Sequence, residues 1–241
     1  MLQTIKKKFI GNKAFYHALL ILIIPMIIQQ GITSFVNLLD NIMVGRLGTE
    51  SMSGVAIVNQ LIFVFNLSIF GGLAGASIFG AQYYGKGDNE GVRYAFRFKI
   101  IYAVLITIAA FAVLLSFNEP LIGLFLTDTG AGGDLALTLK EAKSYLMVML
   151  IGLPPFALSQ TYSSTLRETG ETKAPMFASV IAILLNLVLN YILIFGHLGF
   201  PALGVAGAAW ATLLARIAEC LICVVCAFRS RNVPLELPCW K

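Results

Sequence analysis

The stretch YHALLILIIPMIIQQGITSFVNLLDNIM (residues 16–43) decides the fold class. It is long enough to cross a bilayer, because a membrane-spanning α-helix needs about 20 mostly apolar residues. Its one acidic residue is Asp40. A charge at the membrane centre costs about 2.5–3.5 kcal/mol on insertion scales. Asp40 must therefore be neutralised by a proton, paired with a bound cation or held in a permanent salt bridge.

The composition of the whole chain extends this interpretation. Of the 241 residues, 58% are hydrophobic and 12% are charged, and the mean hydropathy is +0.84. Soluble domains contain about 25% charged residues, so this chain has too little charge to cover its surface in water. The first apolar run is too long for a signal peptide, and no A-x-A cleavage pattern follows it. We therefore predict an all-α integral membrane protein with an uncleaved first span.

Apolar windows predict six transmembrane helices. Their approximate bounds are 16–43, 53–80, 97–117, 143–165, 174–196 and 203–228. The gaps are rich in Gly, Pro and small polar residues, which favour loops. Pro25 in the first span and Pro154–Pro155 in the fourth predict bends, because proline lacks a backbone donor. Residues 16–228 then form a six-helix lobe, preceded by an amino-terminal tail (1–15) and followed by a tail or inter-lobe linker (229–241).

The distribution of basic residues predicts the orientation. One side of the predicted membrane holds Lys6, Lys7, Lys8, Lys13, Lys86, Arg93, Arg97, Lys99, Arg167, Lys173, Arg229, Arg231 and Lys241. The other side holds Arg46, Lys140 and Lys143. Because cytoplasmic segments carry the excess of Lys and Arg, we expect both termini in the cytoplasm of a multi-pass protein of the plasma (inner) membrane. No basic patch interleaves with aromatic residues, so a nucleic-acid partner is not expected.

Polar residues recur within the first span at three- and four-residue steps. They are Gln30, Thr33, Ser34, Asn37, Asp40 and Asn41. This spacing places them on one stripe of a helix, which must face protein or a water-filled cavity. In the fifth span, Asn186 and Asn190 lie one turn apart. These two amides either hydrogen-bond a carboxyl group or join helices to each other.

Other polar and small residues have simpler explanations. Arg216 and Glu219 lie three residues apart in the sixth span, and we expect them to pair. Gly71 and Gly75 form G-x-x-x-G, and Gly204 and Gly207 open the sixth span, which favours close helix packing.

The remaining motifs exclude several classes of site. Cys220, Cys223 and Cys226 match the opening of an iron–sulfur motif, but Cys239 lies too far away to complete it. No metal site, disulfide framework or resident cofactor is therefore expected. Tyr145 and Gln160 are polar positions that no pattern singles out. There is no H-E-x-x-H or G-x-S-x-G and no pair of catalytic carboxylates, so an enzyme is not expected.

Four segments carry a family resemblance. IPMIIQQGITSFVNLLDNIMVGRLGTESMSGVAI (24–57), GAQYYGKGD (80–88), LRETGETKAPM (166–176) and LNLVLNYILIFG (185–196) resemble the amino-terminal half of the multidrug and toxic compound extrusion (MATE) family. The resemblance implies a cation-coupled antiporter that expels organic cations and drugs. It implies that Asp40 and Asn186 belong to the coupling site and that Thr212 supplies a hydroxyl. Asn190 stands where one branch of the family has a second aspartate, so a proton is expected as the coupling ion, with sodium as the alternative.

The resemblance also raises the question of a second lobe. Family members are similar to two six-helix lobes around a central cavity, whereas this sequence contains one. A second lobe or a homodimer is then expected as a partner, beside drug-like cations and the lipid bilayer. Two alternatives remain: a non-transporting truncated fragment or structural membrane subunit, and a lipid-linked saccharide flippase. A pyrophosphate headgroup would require several intramembrane basic residues, and only Arg216 is available.

Overall fold

In a computed structural model, residues 13–128, 134–197, 199 and 201–230 are described, and their regular structure is helical. The helices are α1 (Lys13–Gly45), α2 (Thr49–Gly85), α3 (Asn89–Ser116), α4 (Asn118–Asp128), α5 (Leu135–Ile151), α6 (Leu153–Glu168), α7 (Lys173–Phe195) and α8 (Gly204–Arg229). Most residues of the predicted tails, 1–15 and 229–241, lie outside the described ranges.

The predicted helical membrane bundle is confirmed. Five helices (α1, α2, α3, α7 and α8) are each long and apolar enough to cross a membrane, and α5 and α6 have the length and apolarity of a sixth span when they are counted together. The break lies at Gly152, with a bend of 46°. Pro154 and Pro155 fall in the first turn of α6, where they lack the N–H groups that would continue the hydrogen bonds of α5 across the break. Pro25, by contrast, does not interrupt α1, which is helical throughout its length.

A short helix, α4, was not predicted. It begins directly after α3, where the Asn118 side-chain amide donates to the Leu115 carbonyl oxygen at 2.8 Å. Pro120 lies in its first turn, a position at which a helix tolerates proline. With 11 residues α4 is too short to span a bilayer. It contacts the start of the broken span through an exposed ion pair between Glu119 and Lys143.

The core of the lobe is formed where α2, α5, α6 and α8 meet. Val58, Ile69, Leu146, Leu153 and Ala209 are all completely buried there. Large apolar side chains such as those of Leu105, Ile108 and Leu221 point outward and are 61% exposed. An apolar surface of this extent is expected where lipid, not water, surrounds the protein.

Close helix packing depends on other glycines than the G-x-x-x-G pair. A Cβ atom added at Gly207 of α8 would lie 2.6 Å from the Leu193 carbonyl oxygen of α7. One added at Gly54 of α2 would lie 3.0 Å from backbone atoms of α5. At Gly71 and Gly75 nothing lies within 4 Å of such an atom. The prediction for Gly71 and Gly75 was therefore wrong, because their face of α2 is not covered by another helix.

Lys99 lies inside the bundle, although the sequence placed it with the cytoplasmic basic residues. It is fully buried in α3 and forms an ion pair with Glu168 at the end of α6. Its ammonium group also donates to Thr165 Oγ1 at 3.3 Å. This pairing satisfies a charge that would otherwise be very costly to bury.

Candidate functional site

A cavity of about 520 Å³ opens between α1 and the rest of the lobe. Its wall is built by residues of α1, α2, α5, α6, α7 and α8. The polar and charged residues that line it are Thr33, Asn37, Asp40, Asn41, Asn59, Asn66, Tyr145, Asn186, Asn190, Thr212, Arg216 and Glu219. Six helices therefore bring side chains from across the sequence to one polar surface inside an apolar bundle.

Asp40 lies on this wall and is hydrogen-bonded to α7. Asn190 Nδ2 donates to Asp40 Oδ1 at 2.7 Å, and Asn190 is only 2% exposed. An amide donor at this distance makes a charge-assisted hydrogen bond to an ionised carboxylate. The carboxyl group therefore has a neutral partner and no cation among the described residues within salt-bridge distance.

Asn186 and Thr212 complete the cluster. In one orientation of the Asn186 amide, its oxygen accepts from Asn190 Nδ2 at 3.2 Å and its nitrogen donates to Thr212 Oγ1 at 3.3 Å. In the reversed orientation, the nitrogen donates to Asp40 Oδ2 at 2.9 Å and the oxygen accepts from Thr212. The reversed orientation suits an ionised Asp40, because the first one sets the amide oxygen against Asp40 Oδ2, so the amide can serve the carboxylate as a second donor.

One acceptor in the cluster has no donor. Asn190 Oδ1 is buried and has no hydrogen-bond partner among the described residues. Buried polar atoms are nearly always paired, so such an atom needs an explanation. An amide oxygen beside a carboxyl group can accept a hydrogen bond from a protonated carboxyl or contribute to binding a small cation.

The polar stripe predicted on α1 lines the cavity with two exceptions. Thr33, Asn37, Asp40 and Asn41 line it, whereas Gln30 and Ser34 do not and are exposed. Gln29, the neighbour of Gln30, points inward and forms hydrogen bonds to α6 and α7. Gln29 lies 11 residues before Asp40, about three turns of 3.6 residues, and so within about 20° of the same face. Counting back from Asp40 would have selected Gln29.

Arg216 and Glu219 do not form the predicted pair. Arg216 Nη1 donates to the Gly152 carbonyl oxygen at 3.4 Å, and its guanidinium carbon lies 4.9 Å from the ring centroid of Phe156. Glu219 instead accepts a hydrogen bond from Ser179 Oγ at 2.5 Å. The reason is the break in the fourth span, which exposes a carbonyl group and an aromatic face close to the guanidinium.

Other cavity residues carried only weak signals in the sequence. Asn59 and Asn66 are seven residues apart on α2, about two turns, so they share a face. Tyr145 of α5 is 5% exposed and donates to Asn59 Oδ1 at 3.4 Å. Asparagines at this spacing in an apolar helix could have been recognised as a second polar stripe.

The described cysteines do not line this cavity. Cys220 and Cys223 are buried in α8 as free thiols, and Cys226 is partly buried. Within the described ranges, no group of three His, Cys, Asp or Glu side chains has the geometry to hold a metal ion. Cys239 lies outside those ranges.

Comparison with known proteins matches this architecture. The MatE family profile covers residues 25–192, more than half of the chain. The chain belongs to the MatE family. The predicted resemblance is thereby confirmed, and the family segment includes Asp40, Asn186 and Asn190, while Thr212 lies beyond it.

Individual relatives give the same result for this MatE chain. It is 29% identical to the "Probable multidrug resistance protein NorM" of Thermotoga maritima over 89% of its own length and 45% of the relative's. It is 31% identical to the "Multidrug resistance protein PmpM" of Pseudomonas aeruginosa, over 80% and 39% of the two chains. The MatE chain thus spans less than half the length of these curated relatives.

A solved structure confirms the fold of the MatE chain. The structure is described as the "outward-facing conformation of a multidrug resistance MATE family transporter of the MOP superfamily". It superimposes with a TM-score of 0.74 at 30% identity, over 91% of the MatE chain and 47% of that chain.

Proposed function

We propose that this chain is one lobe of a proton-coupled multidrug antiporter that exports organic cations, and that Asp40 carries the coupling proton. The observation that supports the proposal is the position of Asp40. Its carboxyl group lies on the wall of a cavity, held by neutral amides and without a salt-bridge partner among the described residues. An ionisable group inside a membrane bundle is a functional candidate because its charge is costly there.

The charges on the cavity wall favour a cationic substrate. Asp40 and Glu219 are acidic, and Arg216 is the basic residue among the described lining residues. Two carboxylates against one guanidinium leave the wall with a net negative charge when all three are ionised. A lipid-linked saccharide with a pyrophosphate headgroup would be repelled, so the flippase alternative is less well supported.

Proton exchange follows from the hydrogen bonds of the cluster. When Asp40 is ionised, its oxygens accept from Asn190 and, in one amide orientation, from Asn186. When Asp40 is protonated, its hydroxyl becomes a donor, and the Asn186 amide can present its oxygen as the acceptor, 2.9 Å from Asp40 Oδ2. A proton needs one such acceptor, whereas metal cations require several oxygen ligands, which favours a proton over sodium.

The transport cycle needs a second lobe. Alternating access arises from two repeats that move around a central site, and we expect the second to come from the remainder of a longer protein or from another copy of this chain. Protonation of Asp40 would rearrange α1 near Pro25 and release the drug outward, and deprotonation would allow the next cation to load from the cytoplasm. Both termini then lie in the cytoplasm, and the protein resides in the plasma (inner) membrane.

The test is drug efflux driven by a proton gradient in vesicles that contain the transport-competent form. Asp40→Asn keeps the size of the side chain and removes the titrating group, so we expect efflux to be lost. Glu119→Gln is the matched control, because it neutralises an exposed carboxylate outside the cavity, and it should transport normally. Undiminished efflux by Asp40→Asn would exclude the proposed role. Absence of efflux from every form, with intact folding, would favour the structural-subunit alternative.

A further inference from the structure

A chain of three hydrogen bonds joins four helices below the Asp40 cluster. Arg167 Nη2 of α6 donates to Gln29 Oε1 of α1 at 3.4 Å. Gln29 Nε2 donates to Ser179 Oγ of α7 at 2.7 Å. Ser179 Oγ donates to Glu219 Oε1 of α8 at 2.5 Å. The chain therefore runs from a guanidinium to a carboxylate through two neutral side chains.

All three bonds point in the same direction. Each neutral member accepts on the side of Arg167 and donates on the side of Glu219, so the bonds polarise one another. The two outer bonds are also charge-assisted, because their terminal groups are ionised. A negative Glu219 strengthens the arrangement, since a neutral side chain at this end would attract the Ser179 hydroxyl less strongly.

Glu219 forms no salt bridge among the described residues, although the charges of Arg167 and Arg216 attract it from a greater distance. Arg216, one turn away on the same helix, is directed to Gly152 and Phe156, and Arg167 reaches Gln29. Glu219 lines the same cavity as Asp40. Since it follows Thr212 by seven residues on α8, it lies about 10 Å along the helix from the Asp40 cluster, toward the predicted cytoplasmic end.

The attachment of α1 to the lobe depends strongly on these three hydrogen bonds. Among its described side chains, Val36 and Val44 are the buried ones, and both lie in the outer half with Asp40. In the inner half, Gln29 connects α1 to α6 and α7. A helix with little buried apolar surface is held by its polar contacts, and it opens at a low free-energy cost when they are lost.

We propose that Gln29, Ser179 and Glu219 are positioning residues that hold the inner half of α1 against α7 and α8. This contact closes the cytoplasmic end of the cavity. A cationic group that approaches Glu219 from within the cavity competes for its charge, weakens the three bonds and releases α1. The inference rests on the proposed function, because it assigns these residues to the loading of a cationic substrate.

The first experiment measures hydrogen–deuterium exchange of α1 in the purified chain in lipid nanodiscs. Gln29→Ala should raise exchange of residues 19–33 about four- to hundredfold, since it loses two hydrogen bonds and each corresponds to a ratio of about two to ten. Gln30→Ala is the matched control, since it removes the same side chain from an exposed position of the same helix. Equal effects of the two substitutions, or no effect of either, would overturn the proposal.

Two further variants break the series of three hydrogen bonds without changing a residue of α1. Ser179→Ala deletes the middle link, and Glu219→Gln removes the charge while it preserves the shape. Both should raise exchange in α1 as Gln29→Ala does, with unchanged far-ultraviolet circular dichroism. If Glu219→Gln leaves exchange at the native level, the charge of Glu219 does not hold α1 and the inference is wrong.

A cationic probe separates this inference from the role of Asp40. Tetraphenylphosphonium should raise exchange in α1 of the native chain and of Asp40→Asn, but not of Glu219→Gln. A native chain that does not respond to the probe would contradict release by a cation. The proposed function fails on a different result, undiminished proton-driven efflux by Asp40→Asn, so the two failures are distinguishable.

Discussion

Asp40 Oδ1 and Asn190 Nδ2 lie 2.7 Å apart, although 150 residues separate them in the sequence. The bond joins the outer half of α1 to α7, and it places a carboxyl group of one helix against a buried amide of another. It therefore contributes both to the candidate coupling site and to the attachment of α1.

Removal of the Asn190 amide should destabilise the lobe. Asn190→Ala deletes a hydrogen bond to a charged group, for which we expect a loss of about 1.5–3 kcal/mol in the free energy of unfolding. The measurement is denaturation of the purified chain in detergent, followed by circular dichroism. Asn41→Ala is the control, since Asn41 lines the same cavity but is exposed. A similar loss in both variants would show that the hydrogen bond to Asp40 does not stabilise the lobe beyond what an exposed asparagine contributes.

The buried pair of Lys99 and Glu168 should respond very differently to single and double substitution. Lys99→Met leaves the Glu168 carboxylate buried without its cation, which costs about 3–5 kcal/mol. Lys99→Met combined with Glu168→Met removes both charges and should recover most of that loss. The same denaturation experiment checks this. If the double variant is as unstable as the single one, packing rather than uncompensated charge is responsible.

Two glycines in the membrane should differ in their tolerance of a methyl group. Gly207→Ala forces a Cβ atom against the Leu193 carbonyl, so we expect a loss of about 1–3 kcal/mol, as in overpacked cores. Gly71→Ala places its methyl group in open space and should be neutral, or stabilising by up to about 1 kcal/mol through helix propensity. The measurement is thermal unfolding of the two variants. A lower melting temperature for Gly71→Ala than for Gly207→Ala would contradict the close approach of α7 and α8.

The contribution of the exposed ion pair between Glu119 and Lys143 to folding stability should depend on pH. The hydrogen bond from Lys143, together with its positive charge, holds the pKa of Glu119 below its usual value. Because this pKa is lowered by folding, the pair favours the folded state above the unfolded pKa, and that contribution is lost as the pH falls through the folded pKa. A carbon-13 titration of the Glu119 carboxyl should show this, and Lys143→Met should return the pKa to its usual range. Identical titrations of the two proteins would exclude the pair in solution.

The sequence was sufficient for the helical membrane fold because length and apolarity report directly on membrane spans. The break in the fourth span was also predictable, because Pro154 and Pro155 lack backbone donors and this effect is local to the sequence. Helix α4 was missed because its 11 residues give no span signal. The burial of Lys99 was missed because its partner, Glu168, lies 69 residues away.

The period of a single helix placed part of the predicted stripe on the cavity wall, but not Gln30 and Ser34. Three-residue and four-residue steps place Thr33, Asn37 and Asp40 on one face, and the structure brings that face to Asn186 and Asn190. The hydrogen bond from Arg216 to the Gly152 carbonyl oxygen could not be predicted in this way. It depends on the position of a helix break on another span, which spacing within α8 does not contain.

The length of α1 makes the surrounding bilayer part of its energetics. At 1.5 Å per residue the 27 residues of its apolar span, Leu19–Gly45, extend about 40 Å, whereas the hydrocarbon core is about 30 Å thick. A helix with this excess length adjusts its tilt to the thickness of the membrane, at a cost of fractions of a kcal/mol per Å of mismatch. Because few side chains of α1 are buried in the lobe, acyl-chain length in a reconstituted membrane should shift the position of this helix as effectively as a point substitution.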